Sequence, residues 1–461
     1  MRFAILIMAA GKGTRLKSKR PKVLHEIGGK PLLSHVIAAA AQIVPPNDIY
    51  VIIGHEAERV KAAVADTGVR FILQAEQRGT GHAIQSAREA VKDYENVLIL
   101  SGDTPLIRAE TIAFMRDFHL AQLAAMTILT AVPASPEGYG RVIRKEAGEP
   151  EVVAIVEQKA LTPEQRNSPE INAGIYAFGT GPLFHHIDAL RTANAHGEYY
   201  LTDMAAILAG AGERVVGLKV EEPTEVLGAN TIREMMELDA ALRKATVERI
   251  MAHGVTIFRP DTVIIDATVT VGADTVIEAY VQLLGHTKIG EDCRIRSYSV
   301  IDETTIGNGV LVRNGCIITG STLDNGAQIG PYSHLRPGSE IGEGAHVGNF
   351  VETKKVKIGK GAKANHLSYL GDAEIGAETN IGAGTITCNF DGTSKFQTII
   401  GEKAFIGSDA TLVAPVTIGD GAYIAAGSCI TEDVPAGALA LGRSRQTIKP
   451  DWAARKRKGK A

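Results

Sequence analysis

Apolar and polar positions follow two different rules along the chain. Up to about residue 228, short apolar runs at Phe3 to Met8, Ile49 to Ile53, Val97 to Leu100 and Met126 to Ala131 alternate with stretches of helical spacing at Leu32 to Val44 and Thr80 to Val91. Strands alternating with helices predict a doubly wound α/β sheet, Rossmann-like and largely parallel, whose ligands sit at the carboxyl ends of the strands. The run Met1 to Ala10 imitates a secretory leader, but it passes directly into Gly11-Lys12-Gly13-Thr14-Arg15 and reads as a buried strand. From Ala229 to His253 apolar residues recur at helical spacing with no Gly or Pro, which predicts one connecting helix. The expected division is residues 1–228, a connecting helix at 229–253, and residues 254–461.

After Thr256 the rule becomes a short repeat. Ile-Gly or Val-Gly pairs begin at Val271, Ile289, Ile306, Ile329, Ile341, Val347, Ile358, Ile375, Ile381, Ile400, Ile406 and Ile418, and each gap lies within one residue of a multiple of six. An aliphatic residue pointing inward every six positions, with a small residue at the turn, predicts a parallel β-helix of roughly ten three-sided coils. Such a prism has flat faces, so its chemistry is expected where the pattern breaks: Pro331 to Gly338, Asn349 to Lys355, Ala364 to Asp372 and Thr385 to Phe396.

Length and charge narrow the picture. At roughly 100 to 200 residues per domain, 461 residues predict two or three domains. Lys plus Arg number 49 against 52 Asp plus Glu, so no general basic field is available for nucleic acid or anionic lipid. No apolar run reaches the ~18 to 20 residues of a membrane span. Cys293, Cys316, Cys388 and Cys429 match neither a disulfide framework nor paired metal-ligand spacing, which suits a reducing, cytoplasmic setting.

Met8-Ala9-Ala10-Gly11-Lys12-Gly13-Thr14-Arg15 places a glycine turn after a strand, where free N–H groups can line a phosphate. It is neither a Walker loop nor a dinucleotide fingerprint, since Leu16 occupies the third-glycine position, and alone it also reads as a solvated basic loop. Arg15 and Lys22, the latter fixed behind Pro21, add cations suited to transferred phosphates. Asp103, just after Leu100, is by itself a turn former or cap; beside that loop it becomes a candidate Mg²⁺ ligand. Gln74 to Thr80 is a third polar loop, suited to a base edge.

With Gly79-Thr80-Gly81-His82-Ala83 and Gly102-Asp103, the first half resembles the sugar-1-phosphate nucleotidyltransferases. Joined to hexads carrying Gly382-Ala383-Gly384-Thr385-Ile386-Thr387-Cys388-Asn389, nearly the whole chain resembles the bacterial bifunctional N-acetylglucosamine-1-phosphate uridyltransferase/glucosamine-1-phosphate N-acetyltransferase family. The resemblance implies a left-handed β-helix, since hexad spacing does not set handedness. It also implies synthesis of UDP-N-acetylglucosamine, for peptidoglycan and lipopolysaccharide, from UTP, acetyl-CoA and glucosamine 1-phosphate with Mg²⁺. By resemblance, Met8, Ala9, Ala10, Gly11, Lys22, Gln74, Gly79 and Thr80 contact nucleotide, and Arg15 faces the departing pyrophosphate. Asp103 and Asn230 hold the metal, and Gly140, Glu157 and Asn172 contact the sugar. From the residues alone, Glu157 and Asn172 read as a solvated charge and a turn residue.

An attacking amine needs a general base, usually histidine, and residues alone hardly separate His366 from His334. The resemblance implies His366 as base, Arg336 and Lys354 on the sugar phosphate, Tyr369 and Asn380 on the sugar, and Glu352 orienting His366 or a neighbour. It puts acetyl-CoA on Ala383, Asn389, Phe390, Ser408, Ala426 and Arg443, with Phe390 replacing the family's usual tyrosine. It also implies a homotrimer with sites between subunits, because a flat prism needs a neighbour to complete a cleft. The basic run Arg455 to Lys460 could meet CoA phosphates or remain solvated. Two other readings stay open: a nucleotidyltransferase with a scaffolding solenoid, against which His366, Arg336, Lys354 and Tyr369 argue, and a non-catalytic exchange-factor subunit, against which Gly11, Arg15, Lys22 and Asp103 argue.

Overall fold

The computed structural model describes residues 2–146, 148–194 and 196–458; Gly459 and Lys460 of the basic run lie outside the described residues. Contacts divide the chain into two units, 1–242 and 243–461.

The first unit is built on β1 (Phe3–Met8), β2 (Ile49–Ile53), β3 (Arg70–Leu73), β4 (Asn96–Ser101), β5 (Met126–Ala131), β6 (Arg141–Arg144), β7 (Val152–Val156), β8 (Ile171–Gly179) and β9 (Val215–Lys219). The strand order is β9-β5-β8-β4-β1-β2-β3, with β6 and β7 paired beyond β8. β1 pairs in parallel with β2 and β4, whereas β8 runs antiparallel to both β4 and β5. Because helices cover both faces of β1, its sequence is continuously apolar rather than alternating. Period two still sorts its side chains: Phe3, Ile5 and Ile7 join one core with Leu33, Val36 and Ile37, while Ala4 and Leu6 join another with Ile84, Ala87 and Val91. Neighbouring strands diverge on either side of β1, and at this switch point the loops after β1, β3 and β4 gather.

His119, at the end of helix Ala109–Ala121, is 2% exposed and has its Nδ1 2.8 Å from Thr127 Oγ1. Burial lowers its pKa from 6.5 to about 4. The unfolded chain takes up this proton below pH 6.5 and the folded chain does not. Its contribution is therefore intact above that pH and is lost as pH falls towards 4, at most about 3 kcal/mol. Urea unfolding at pH 7 and pH 4.5 is expected to show His119→Asn losing less stability on acidification than the parent, whereas equal pH slopes would contradict this account.

In the second unit, helix Ile232–Ala252 contributes Val247 and Ile250 to an aliphatic core that continues up a three-sided coil. Each coil repeats in parallel register with the next. Ile265, Leu283, Ile301, Ile318, Leu335, Thr353 and Leu370 form one inward column, with Gln328, His346, Lys363, Asn380, Phe405 and Tyr423 aligned on another face. With its repeats, this is the hexapeptide left-handed β-helix. The column admits Thr353 because its hydroxyl pairs with Ser339 Oγ at 2.8 Å.

Three expected breaks keep the coil. Leu335 fills an inward position, so Pro331 to Gly338 contains an in-register strand, His334–Leu335. The next two breaks carry longer strands, Glu352–Ile358 and Tyr369–Ile375. Of the four expected breaks only the last leaves the coil, at residues 389–397, closed by a Phe390–Lys395 bridge and by Asp391 accepting from the Thr393 and Ser394 N–H groups.

Candidate active sites

At the switch point of the α/β unit lies a cavity of about 600 Å³, lined by Met8 to Arg15, Lys22, Gln74, Gly79, Thr80, Asp103 and Asn230. The loop after β1 folds back onto Lys22: a Cβ on Gly13, at φ +61°, would lie 2.6 Å from Lys22 Cβ. Lys22 Nζ and Arg15 Nη2 both donate to Asn230 Oδ1, at 2.9 and 2.7 Å. Lys22 also pairs with Asp103, whose other oxygen accepts from Ser101 Oγ at 2.7 Å. Burial pushes the Asp103 carboxyl up, but the Lys22 charge and the Lys22 and Ser101 hydrogen bonds outweigh it and hold the group below the usual carboxylate range.

Gly79 opens the helix Thr80–Val91 at φ +108°, and a Cβ there would lie 2.5 Å from the Tyr199 carbonyl. The helix N-terminus thus reaches the cavity wall, where its N–H groups suit an anion. Gln74 is 3% exposed, and its Nε2 donates to Gly79 O at 3.1 Å and lies 3.1 Å from His82 Nδ1. These contacts fix the side chain at the cavity wall. Gln77, Ala83 and Glu198 also line the cavity. Gln77 and Ala83 fall inside segments that the sequence already singled out, whereas Glu198 lies on a loop with no motif of its own and was passed over.

Gly140, Glu157 and Asn172 form a separate cluster outside that lining. Asn172 N donates to Gly140 O at 2.9 Å, and a Cβ on Gly140 would lie 3.7 Å from Glu157 Oε2. Glu157 accepts from Thr202 Oγ1 at 3.1 Å, and burial raises its pKa above the usual glutamate value, so it is not the solvated charge its sequence context suggested. Asn172 Nδ2 donates to Tyr176 OH at 2.8 Å. Burial raises the pKa of neighbouring Tyr139, with Glu234 and Asp103 adding to the shift and Arg15 opposing it.

For a divalent cation the donor set is chemically suitable. Asp103 and Asn230 offer one carboxylate and one carboxamide oxygen, both already aimed at the Lys22 ammonium. Hard oxygen donors completed by water and phosphate match Mg²⁺.

On the β-helix, His366 ends strand Lys363–His366, is exposed, and has its Nδ1 3.1 Å from Asn349 Oδ1. Glu352 instead accepts from Arg336 Nη1 at 3.0 Å, so it engages a neighbour rather than His366. Lys354 lies beside Lys395, whose ammonium holds its pKa below the usual lysine value. Asn389 Nδ2 bonds Asp372 and lies 3.5 Å from Tyr369 OH. Asn380 sits one coil beyond Lys363 in register. Ala383, Ser408 and Ala426 stack at one corner of successive coils, tied by Asp409 N to Ala383 O at 2.7 Å and Gly427 N to Ser408 O at 2.8 Å. Phe390 is 57% exposed on the extruded loop, and Arg443 is exposed after Gly442, whose carbonyl accepts from Cys429 N. Lys395 and Asn349 were not singled out as site residues in the sequence. One stands on the extruded loop and the other is 17 residues from its partner.

The MobA-like NTP transferase domain family matches residues 5–142, and the bacterial transferase hexapeptide family matches 268–303, 320–355 and 397–432. Fold and sites therefore define a nucleotidyltransferase joined to a hexapeptide-repeat transferase. A bifunctional protein GlmU of Koribacter versatilis is 62% identical over 99% of this chain and 97% of its own. Those of Solibacter usitatus and Streptococcus agalactiae are 49% and 43% identical, covering 99% and 98% of this chain and 98% and 97% of theirs. Among solved structures, a putative glucose-1-phosphate thymidylyltransferase from Bacillus anthracis has a TM-score of 0.42 and 19% identity, covering 52% of this chain and 95% of that one. The chain belongs to the GlmU family of bifunctional proteins. It is a bifunctional enzyme of UDP-N-acetylglucosamine synthesis, with uridyltransferase and acetyltransferase activities.

Proposed function

We propose that residues 1–228 carry uridyl transfer in the switch-point cavity and residues 254–461 carry acetyl transfer around His366, with 229–253 connecting them. In the first reaction a phosphate oxygen of N-acetylglucosamine 1-phosphate attacks the α-phosphorus of UTP, and the bond to pyrophosphate breaks in line. Met8, Ala9, Ala10, Gly11, Gly79 and Thr80 hold the nucleotide and Gln74 its base. Lys22 and Arg15 neutralise charge on the departing pyrophosphate, and Gly140, Glu157 and Asn172 hold the sugar. Asp103 and Asn230 would hold Mg²⁺, which supplies further charge neutralisation on the triphosphate. The observation carrying this reading is the Lys22 ammonium gathered with Asp103, Asn230 and Arg15 at a strand's carboxyl end.

In the second reaction the amine of glucosamine 1-phosphate attacks the thioester carbonyl of acetyl-CoA. The C–N bond forms and the C–S bond breaks; the amine proton passes to His366 Nε2 and on to the departing thiolate. Arg336 and Lys354 hold the sugar phosphate, and Tyr369 and Asn380 the sugar. Acetyl-CoA lies along Ala383, Asn389, Phe390, Ser408, Ala426 and Arg443. The working form is a homotrimer: Tyr332, Phe350 and Leu367, 57, 57 and 63% exposed, lead up one corner to His366 and favour a covering neighbour. Four free cysteines suit a reducing cytoplasm, and no helix among the described residues is long and apolar enough to cross a membrane.

Chelation separates the two reactions. With excess EDTA, pyrophosphate release from UTP and N-acetylglucosamine 1-phosphate is expected to stop, while thiol release from acetyl-CoA and glucosamine 1-phosphate continues at its original rate. Loss of both, or of neither, would contradict the assignment of the metal to one unit.

A further inference from the structure

The geometry points to Asn349 as the positioning residue of the acetyltransferase base, fixing the ring orientation and tautomer of His366; this rests on His366 being that base. The two residues are register partners on consecutive coils, with His366 Nδ1 3.1 Å from Asn349 Oδ1. Their backbones are fixed independently: Leu367 N donates to Asn349 O at 3.0 Å, and Ser368 Oγ donates to His366 O at 2.9 Å. Strands on this face are mostly two residues long, as at Gln328–Ile329 and Asn380–Ile381, but here both extend to four, His346–Asn349 and Lys363–His366. Gly348 permits the extension. A Cβ there would lie 2.0 Å from the Asn365 carbonyl, so only glycine lets the coils close up beside the histidine.

A carboxamide oxygen accepts a hydrogen bond, so it selects the imidazole with its proton on Nδ1 and leaves the Nε2 lone pair free for the amine. It does so without adding negative charge. The charged and titratable groups around this face are His346, Arg313 and Lys363, and the nearby carboxylate of Glu352 is engaged by Arg336. A carboxylate in place of Asn349 would stabilise the imidazolium and slow return of the proton to the thiolate; the carboxamide orients the ring without that effect.

The test uses the full chain, with thiol release from acetyl-CoA and glucosamine 1-phosphate as readout. Asn349→Leu, of similar size but without an acceptor, is expected to lower kcat about 10- to 100-fold with both KM values unchanged. Asn349→Asp restores the acceptor and is expected to recover part of kcat, with the acidic limb of the pH profile moved upward. In ¹⁵N spectra of histidine-labelled protein, His366 is expected in the Nδ1–H form in the parent and to lose that preference in Asn349→Leu. A full kcat in Asn349→Leu, an unchanged tautomer, or no recovery in Asn349→Asp would overturn the inference while leaving the base assignment to His366→Ala. Full activity in His366→Ala would remove that assignment, and the inference with it.

Discussion

Asp103→Ala is expected to lower pyrophosphate release from UTP and N-acetylglucosamine 1-phosphate by about 10³-fold or more while leaving acetyl transfer unchanged. The side chain has two tasks that alanine cannot perform. It is the charge that pairs with Lys22 and one of two oxygen donors gathered at that ammonium. Without it, Lys22 and Arg15 retain Asn230 as a neutral partner, so two neighbouring cations lose their counter-charge and the arrangement around the triphosphate loosens. Removing one preorganised electrostatic partner typically costs about 10²- to 10³-fold in rate, and loss of a metal donor adds to that. Asp103→Asn separates the contributions: it keeps an oxygen for Ser101 Oγ, so a similar loss would assign the effect to charge. Steady-state pyrophosphate assays on both variants check the result.

His366→Ala is expected to do the opposite, lowering thiol release by about 10²- to 10⁴-fold, the usual worth of a general base, and sparing uridyl transfer. The side chain is exposed and its described partner is Asn349, so its removal opens no core cavity and leaves the coil's backbone pairing in place. The remaining activity is expected to climb with pH, because the amine must then lose its proton to solvent before attacking. A pH profile of residual thiol release distinguishes this from damage to binding, which would raise KM without that dependence.

The sequence carried much of this because each feature was repeated or local. Aliphatic residues at every sixth position fill one continuous column, and a single slipped hexad would have exposed it. The apolar run of β1 was legible since a strand covered on both faces has no polar side to display. The glycine loop, Lys22 and Asp103 were legible as chemistry for phosphates, although the pairing of Lys22 with both Asp103 and Asn230 joins positions more than 200 residues apart in the second case and no local pattern announces it. Residues 331–338 were expected to break the coil on account of their proline and polar residues, yet Leu335 sits in phase and the coil absorbs them. The antiparallel course of β8 between β4 and β5 was equally hidden, since Ile171–Gly179 is as apolar as its neighbours and only the connection sets its direction. Glu157 misled for a related reason: its hydrogen-bond partner Thr202 comes from a distant part of the chain, which no local pattern announces.

If one chain carries two complete and independent active sites, variants that each lack one of them complement each other. Neither Asp103→Ala nor His366→Ala should make UDP-N-acetylglucosamine from glucosamine 1-phosphate, acetyl-CoA and UTP at a useful rate. Mixed in one tube, they are expected to make it after a lag, as N-acetylglucosamine 1-phosphate released by the first is taken up by the second. Failure of the mixture when each variant keeps its one activity, or full turnover by either variant alone, would contradict two independent sites placed at Asp103 and His366.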